Sequence, residues 1–336
     1  ALWVFGLFGL LVSCSTDTEA LCSSNVSISD YVAGFSQGLD NFSEDRYSQL
    51  RTESNSAYER TVNAVTDDEV TAAELGATKD EVDRGGDVDW RIIVRVLGTP
   101  VVETSAGDTV TIGKGKSLEL LTWLVEHRES STRSAARTAL WSENIQDATF
   151  SNVVSDLRRS LNTSAGDLEN EEWIPRTFTN QMILNDKVVT DAFIIENFLK
   201  HYLDNPNESN RNRLEESLSY VRDLPFAGTN YTWADAEGIT TSHVITTVQA
   251  AVLLGEYAIS VNDTETLFYV TEKGLRVLPG HEELVALRMK GHSKVGNRSA
   301  IKLEWEAYAR AVEADAWAGG APSSQLEDLA KSLARV

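Results

Sequence analysis

Residues 150–162 read FSNVVSDLRRSLN and have the spacing of an amphipathic helix. Apolar side chains recur at intervals of three and four residues, which places them on one face of a helix. The opposite face carries Asn152, Ser155, Arg158 and Arg159, side chains of the types that contact bases or phosphates. The stretch therefore predicts a helix that packs on one side and shows these polar side chains on the other, which raises the question of whether that face reads DNA.

The sequence on either side of this stretch predicts a small sheet, two further helices and a terminal hairpin. WRIIVRVLG, PVVETS and DTVTIG are β-branched runs between turn residues, typical of short antiparallel strands. SLELLTWLVEHR and SAARTALW have helical spacing, and Asp147 is placed to cap the helix that follows. WIPRTFTNQMILNDKVVTD predicts a hairpin with Asn185 and Asp186 at its turn. This order of elements predicts an α+β winged helix over residues 90–190, with Trp123 and Trp141 in its core.

Residues 191–336 have an almost wholly helical pattern. Breakers such as LPGH and VGN separate the periodic segments, as in antiparallel helix pairs that stack into an array and bind other proteins. His281 follows Pro-Gly and is expected to cap a helix, while Trp233, Trp305 and Tyr308 are expected to lie between helices. The predicted helices are 192–203, 208–222, 241–261, 264–277, 282–295, 299–313 and 325–334.

The first 89 residues differ in composition from the remainder. Residues 1–14, ALWVFGLFGLLVSC, are apolar and predict a membrane anchor or the end of a transmembrane helix; a signal segment and a buried helix are the alternatives. Residues 15–89 are rich in Ser, Thr, Asp and Glu, which favours a solvated, flexible linker. Residues 1–89 hold 17 acidic and 5 basic residues, so they carry more than half of the chain's net charge of −21.

The charge of the predicted winged helix argues against strong DNA binding. Residues 90–195 contain 11 Lys and Arg against 14 Asp and Glu, a net of −3. Sequence-independent affinity for nucleic acid comes from cations that replace phosphate counterions. We therefore expect a duplex that approaches residues 150–162 to meet Asp147 and Asp156 as well as arginines, and DNA affinity to be weak or lost.

Catalysis has no support in the sequence. The five histidines lack metal-ligand spacing, and no nucleophile elbow or Cys/His pair is visible. The two cysteines, Cys14 and Cys22, give no disulfide framework for the later segments. We predict that the protein is not an enzyme and that it uses no cofactor or metal.

The segments IIVRVLGTPVVETSAGDTVTIGKGKSLELLTWLVEHR, ARTALW and VVSDLRRSL together resemble the winged-helix domain of the antibiotic-regulatory-protein (SARP) family of actinobacterial transcription activators. Downstream, VTDAFIIENFL, DLPFAGTNYTWADAEG and GLRVLPGHEELVALRMKGHSKVGNRSAIKLEWEAYARAV resemble that family's bacterial transcriptional activator domain (BTAD), a tetratricopeptide-like helical array. The resemblance extends in order from Trp90 to the C-terminus. It implies a winged helix at 90–190 and a BTAD-like array at 191–336.

The resemblance also implies where DNA would bind. In similar winged helices the third helix enters the major groove and the wing touches phosphate or the minor groove, which here assigns residues 148–161 and 173–188. The implied contacts are Asn152, Ser155, Arg158 and Arg159 on the helix and Arg176 on the wing. The chain departs from the family in carrying Asp156 where a basic residue is usual.

Two functions follow as hypotheses. In the first, the protein resembles a transcription regulator whose winged helix binds double-stranded DNA weakly, whose array contacts proteins and whose N-terminal segment tethers it to a membrane. In the second, it is a membrane-associated scaffold that has lost DNA binding and uses both domains for protein contacts. The resemblance implies that the folded part is cytoplasmic, whereas seven Asn-x-Ser/Thr sequons leave an extracytoplasmic location open.

Overall fold

The computed structural model describes residues 89–141, 143, 145–166, 168, 171–314 and 321–335. The predicted anchor at 1–14 and the predicted linker up to residue 88 lie outside these residues. The described residues belong to one unit, which is mostly helical with one small sheet. Below, residues 89–190 are called the three-helix region and residues 191–335 the helical array.

The sheet has three short strands in the order β2-β1-β3. β1 (Ile92–Arg95) pairs antiparallel with β2 (Val101–Thr104) and parallel with β3 (Val188–Thr190). The predicted all-antiparallel sheet is therefore wrong in part. DTVTIG forms no strand: after a tight turn it returns beside β2, with a bridge between Glu103 and Thr109. The third strand comes instead from the chain that returns after three helices, so it runs parallel to β1.

Three helices follow β2: α1 (Gly115–Glu126), α2 (Arg133–Leu140) and α3 (Asp147–Ala165). The helix predicted around residues 150–162 is α3. Gln146, not Asp147, is its N-cap residue, so the predicted cap is wrong. Asp147 instead lies in the first turn, where its carboxylate pairs with Arg137 and complements the partial positive charge of the helix end.

The segment predicted as the wing, residues 173–188, does not form a two-stranded hairpin. Its second half pairs with the chain before α2: Met182 N–H donates to Ser131 O at 3.0 Å, and Arg133 N–H to Asn180 O at 2.7 Å. Pro175 in the first half has no N–H to donate to a ladder. Asn185 and Asp186 do lie in a turn, which Val188 N–H closes onto Asn185 O at 3.2 Å.

The helical array contains the predicted helices, with ends mostly within two residues of the prediction. Helix 208–222 is the exception: it ends at Ser217, because the chain then leaves the helix to bond with the three-helix region, where Arg222 N–H donates to Leu97 O at 3.0 Å. The array consists of α4 (Asp191–Asp204), α5 (Glu208–Ser217), a 3-10 turn (Leu218–Tyr220), α6 (Thr232–Ala236), α7 (Ile239–Val261), α8 (Thr264–Val277), α9 (Glu282–Lys294), α10 (Arg298–Ala314) and α11 (Ser324–Arg335).

One hydrophobic core extends through the three-helix region and into the array. Trp123 and Trp233 are both buried in it, and Trp141 packs against it, in agreement with the prediction for these residues. Tyr308 and Trp305 belong to a second cluster at the far end of the array, where Tyr308 is 2% exposed. The two regions therefore share one core, and no separate linker lies between them among the described residues.

The middle of the array is packed closely enough to require glycine. A Cβ on Gly274 of α8 would lie 2.5 Å from Leu284 Cδ1 and 2.8 Å from Ala251 Cβ. A Cβ on Gly291 of α9 would lie 2.6 Å from Leu267 Cδ2. Real Cβ atoms do not make contacts this short, so the missing side chain of Gly274 permits the close approach of α7 and α8, whereas a Cβ on Gly291 would require Leu267 of α8 to shift.

Helix α7 is long and apolar enough, by length and composition, to cross a membrane. Central helices of water-soluble domains pass the same test, and Ala250, Ala251 and Leu254 of α7 are buried in the core described above. This feature is therefore weak evidence for a membrane span.

Candidate nucleic-acid interface

Helix α3 has the two faces that its sequence predicts. Phe150, Val153, Val154, Leu157 and Leu161 are buried, and the helix packs against α1. Residues three and four apart lie on one side of a helix. This spacing fixes the opposite side as the outer face.

Asn152, Ser155 and Arg159 are exposed and form one stripe along that outer face. Their side chains carry an amide, a hydroxyl and a guanidinium, which are groups that bind base edges and phosphate oxygens. The structure thus brings three of the five predicted contact residues together.

Arg158 points elsewhere. Its Nε donates to Ile174 O at 2.8 Å and its Nη2 to Pro175 O at 3.1 Å. Burial lowers the pKa of its guanidinium, which nearby Glu172 opposes. Arg158 therefore joins α3 to the predicted wing, and Arg159 is the exposed cation of the pair.

Asp156 also differs from its expected role. Ser117 Oγ donates to its carboxylate at 2.9 Å, and Lys114 Nζ lies 3.7 Å away. The Asp156 side chain is only 16% exposed. The expectation that an approaching duplex meets this carboxylate is wrong, because Asp156 turns toward the start of α1; Asp147, 90% exposed, does remain on the surface.

The predicted wing presents Arg176, the fifth predicted contact residue, which is exposed. Phe178 lies two residues further on and is fully exposed. Asn180 fixes this segment to α2, since its Nδ2 donates to Ser134 Oγ at 2.8 Å and its Oδ1 accepts from Ser134 N–H at 3.3 Å. The sequence prediction missed Phe178; its signal is an aromatic residue in the otherwise polar run TFTN.

The base of the predicted wing is acidic. An open cavity of about 660 Å³ there is lined by Glu171, Glu172 and Asp186 together with apolar residues such as Ile183 and Leu184. Phosphate groups are repelled by such a surface. A duplex on α3 would therefore meet cations at Arg159 and Arg176 and anions at the wing base.

Among the described residues, no group of three or more His, Cys, Asp or Glu side chains is arranged to hold a metal ion. His281 caps α9 as the sequence predicts, accepting from Leu284 N–H at 3.4 Å.

The described residues form a small sheet with three helices, followed by a helical array. A solved structure of Mycobacterium tuberculosis EmbR in complex with a low-affinity phosphopeptide resembles the chain with a TM-score of 0.51 at 18% sequence identity. The match covers 73% of this chain and 65% of the EmbR chain, so this chain spans slightly less than two thirds of that protein. No protein-family model and no curated protein matches.

Proposed function

We propose that this protein is a regulator-like protein whose three-helix region is a winged helix that binds duplex DNA weakly. The observation that carries the proposal is the exposed stripe of Asn152, Ser155 and Arg159 on α3, free of the Asp156 carboxylate. Arg176 on the wing supplies a second cation. The resemblance of residues 90–190 to a winged-helix family supports the assignment of α3 as the helix that enters the groove.

The affinity follows from the number of cations. Each neutralised phosphate contributes about −0.9 to the slope of log K against log salt concentration, so two cations give a slope of roughly −2. Between 50 and 200 mM salt, such a protein loses only about tenfold to twentyfold in affinity. Many DNA-binding domains neutralise more phosphates, and this protein would depend correspondingly more on groove contacts and on its partners.

The array supplies the protein contacts in this proposal, and residues 1–14 the membrane tether. Stacked helix pairs expose long surfaces that suit protein partners. EmbR was solved with a phosphopeptide, which supports protein partners for a fold of this kind. The proposal of a tether rests on the apolar composition of residues 1–14 alone. Its test is whether the full chain sediments with membranes and whether a chain without those residues stays in the supernatant.

The test is binding of the full chain to mixed genomic duplex DNA across a salt series. Arg159→Ala and Arg176→Ala are each expected to make the salt slope shallower by about 1. Lys200→Ala, which removes an exposed cation from α4, is the matched control and should leave the slope unchanged. Arg158 is left intact, because its contacts with the wing would confuse a folding defect with lost phosphate binding.

A scaffold that binds only proteins is the second candidate. The fully exposed Phe178 and the acidic cavity at the wing base favour it, because exposed aromatic residues are enriched at protein interfaces and acidic surfaces repel DNA. Absence of DNA binding at low salt, with the variants indistinguishable from wild type, would replace the first proposal by this one.

A further inference from the structure

The last turn of α1 contacts the array through two neighbouring residues, Glu126 and His127. His127 Nε2 lies 2.5 Å from Glu237 Oε2 at the end of α6. Glu126 Oε1 lies 3.2 Å from His243 Nε2 on α7. Two histidine–glutamate pairs therefore join the three-helix region to the array at one place, which is called the junction below.

His127 has an oxygen acceptor at each ring nitrogen. Nδ1 lies 2.8 Å from Trp123 O, and Nε2 faces the Glu237 carboxylate. A neutral imidazole donates from only one nitrogen, whereas an imidazolium donates from both. The arrangement is therefore complete only when His127 is protonated or a proton lies on Glu237.

The aromatic surroundings suit a cation. The Trp123 ring stacks on the His127 ring at a centroid distance of 4.3 Å, and the Trp233 ring approaches at 5.6 Å with its edge. A cation over the face of Trp is attracted by the ring quadrupole. Stacking and the Glu237 carboxylate thus favour the same protonation state.

The second pair lies among carboxylates. Burial alone would lower the pKa of His243. The hydrogen bond and the charge of Glu126 outweigh this effect, and the charges of Asp191 and Glu196 on α4 also raise the pKa. The net result is a raised pKa. An adjoining cavity of about 510 Å³ is lined by His243, Glu126 and Glu196, and further by Asp89, Asp186, Arg128 and Lys187. Of its two cations, Arg128 is engaged with the carbonyls of Asn185 and Val188.

We propose that the junction is a proton-sensitive contact, in which the imidazolium form of His243, paired with Glu126, and the His127–Glu237 pair beside it hold the three-helix region against the array. A histidine whose protonated form is favoured in the closed state stabilises that state below its open-state pKa and ceases to do so as the pH rises through its closed-state pKa. Acidification across the neutral range therefore tightens the junction, and alkaline conditions loosen it.

The array offers a control in its own histidine–glutamate pair. His292 Nε2 lies 3.2 Å from Glu304 Oε1, but His292 Nδ1 has no hydrogen-bond partner. A neutral imidazole can make this hydrogen bond by donating its single N–H from Nε2 to Glu304 Oε1. His292→Gln therefore tests the effect of losing a buried histidine outside the junction.

The experiment is amide hydrogen exchange of the full chain at pH 6 and pH 8, corrected for intrinsic exchange rates. The reporters are the amides of Arg222 and Phe226, which bond to Leu97 O and Val96 O between the array and the three-helix region. Their protection is expected to be higher at pH 6 than at pH 8, by up to about tenfold for each unit by which the pKa of His243 is raised. The double variant His127→Gln/His243→Gln should lose most of this difference and His292→Gln should keep it; an unchanged difference in the double variant overturns the proposal.

A second measurement holds even if the double variant fails to fold. The ring nitrogen shifts of His243 in the wild-type full chain report its protonation state directly by nuclear magnetic resonance. Because the pKa of His243 is raised from the ordinary histidine value of 6.5, more than half of this side chain is expected to be imidazolium at pH 6.5. A His243 that is mostly neutral at that pH overturns the proposal without any substitution.

Discussion

The outer face of α3 consists of exposed Asn152, Ser155 and Arg159, whereas the junction is built from two partly buried histidine–glutamate pairs and stacked aromatic rings. The first surface is exposed to solvent and can change without altering the fold. The second holds two regions in one arrangement. The difference shows why a chain of this fold can keep its architecture while the chemistry of this exposed face varies.

Removal of a side chain from the inner face of α3 should have the largest effect. Leu157 is fully buried, so Leu157→Ala deletes packed atoms and leaves a cavity. We expect the free energy of unfolding to fall by about 2 to 5 kcal/mol. Chemical denaturation checks this, and a loss below about 1 kcal/mol would mean that the inner face is not packed as described.

The contact between α4 and the residues after β1 should respond to pH through Asp191. This residue is fully buried, and burial raises its pKa to about 6, although the N–H groups of Val96 and Leu97 partly offset the shift. Because the folded pKa exceeds the unfolded one, the folded state binds more protons, and stability falls as pH rises from about 4 to above 6. The shift corresponds to about 3 kcal/mol.

Asp191→Asn retains an oxygen for the Val96 N–H, 2.7 Å away in wild type, and removes the titration. The difference in unfolding free energy between wild type and variant should therefore change with pH over this window and level off above it. A difference that is the same at pH 4 and pH 7 would show that the carboxylate is solvated.

Arg158 is neither a freely exposed residue of the outer face nor a part of the junction, so we expect its replacement to have an intermediate effect. Arg158→Ala removes two hydrogen bonds to wing carbonyls and should cost about 1 to 3 kcal/mol of stability. Arg158→Lys retains the charge but not the two-point geometry and should recover only part of the loss. Equal stability of Arg158→Ala and wild type would return Arg158 to the list of free DNA contacts.

The smallest effect is expected on the outer face. Arg159→Ala should change the free energy of unfolding by no more than about 0.5 kcal/mol, as for other surface substitutions. Its consequence should appear in the salt dependence of DNA binding alone. Destabilisation comparable to that of Arg158→Ala would mean that the outer face also supports the fold, and the contrast drawn above would fail.

Much of this architecture was predictable, because helical periodicity survives in a single sequence. The period identified α3 and the array helices, and Pro-Gly before His281 identified a cap that the structure confirms. The prediction of a single helix over residues 208–222 was wrong, because the helix ends at Ser217. The chain after it bonds to Leu97, which is distant in sequence. Helix α6 is too short to show a period.

The candidate site was predicted less well than the fold, since the direction of a charged side chain depends on its partner. Asp156 and Arg158 both seemed to belong to the outer face, yet Ser117 and the carbonyls of the wing turn them away. Neither partner is near in sequence. Nor does the spacing of β-branched residues show that the second half of the wing pairs with Ser131 as well as bonding to its own first half through Asn185 N–H and Trp173 O.

The glycines of the array have a mechanical consequence. Gly274 and Gly291 leave so little space between α7, α8 and α9 that sliding one helix past another would bring backbone against side chain. These three helices should therefore move together as a lever. We expect a partner that displaces α9 to move α7, and with it His243, in the same direction.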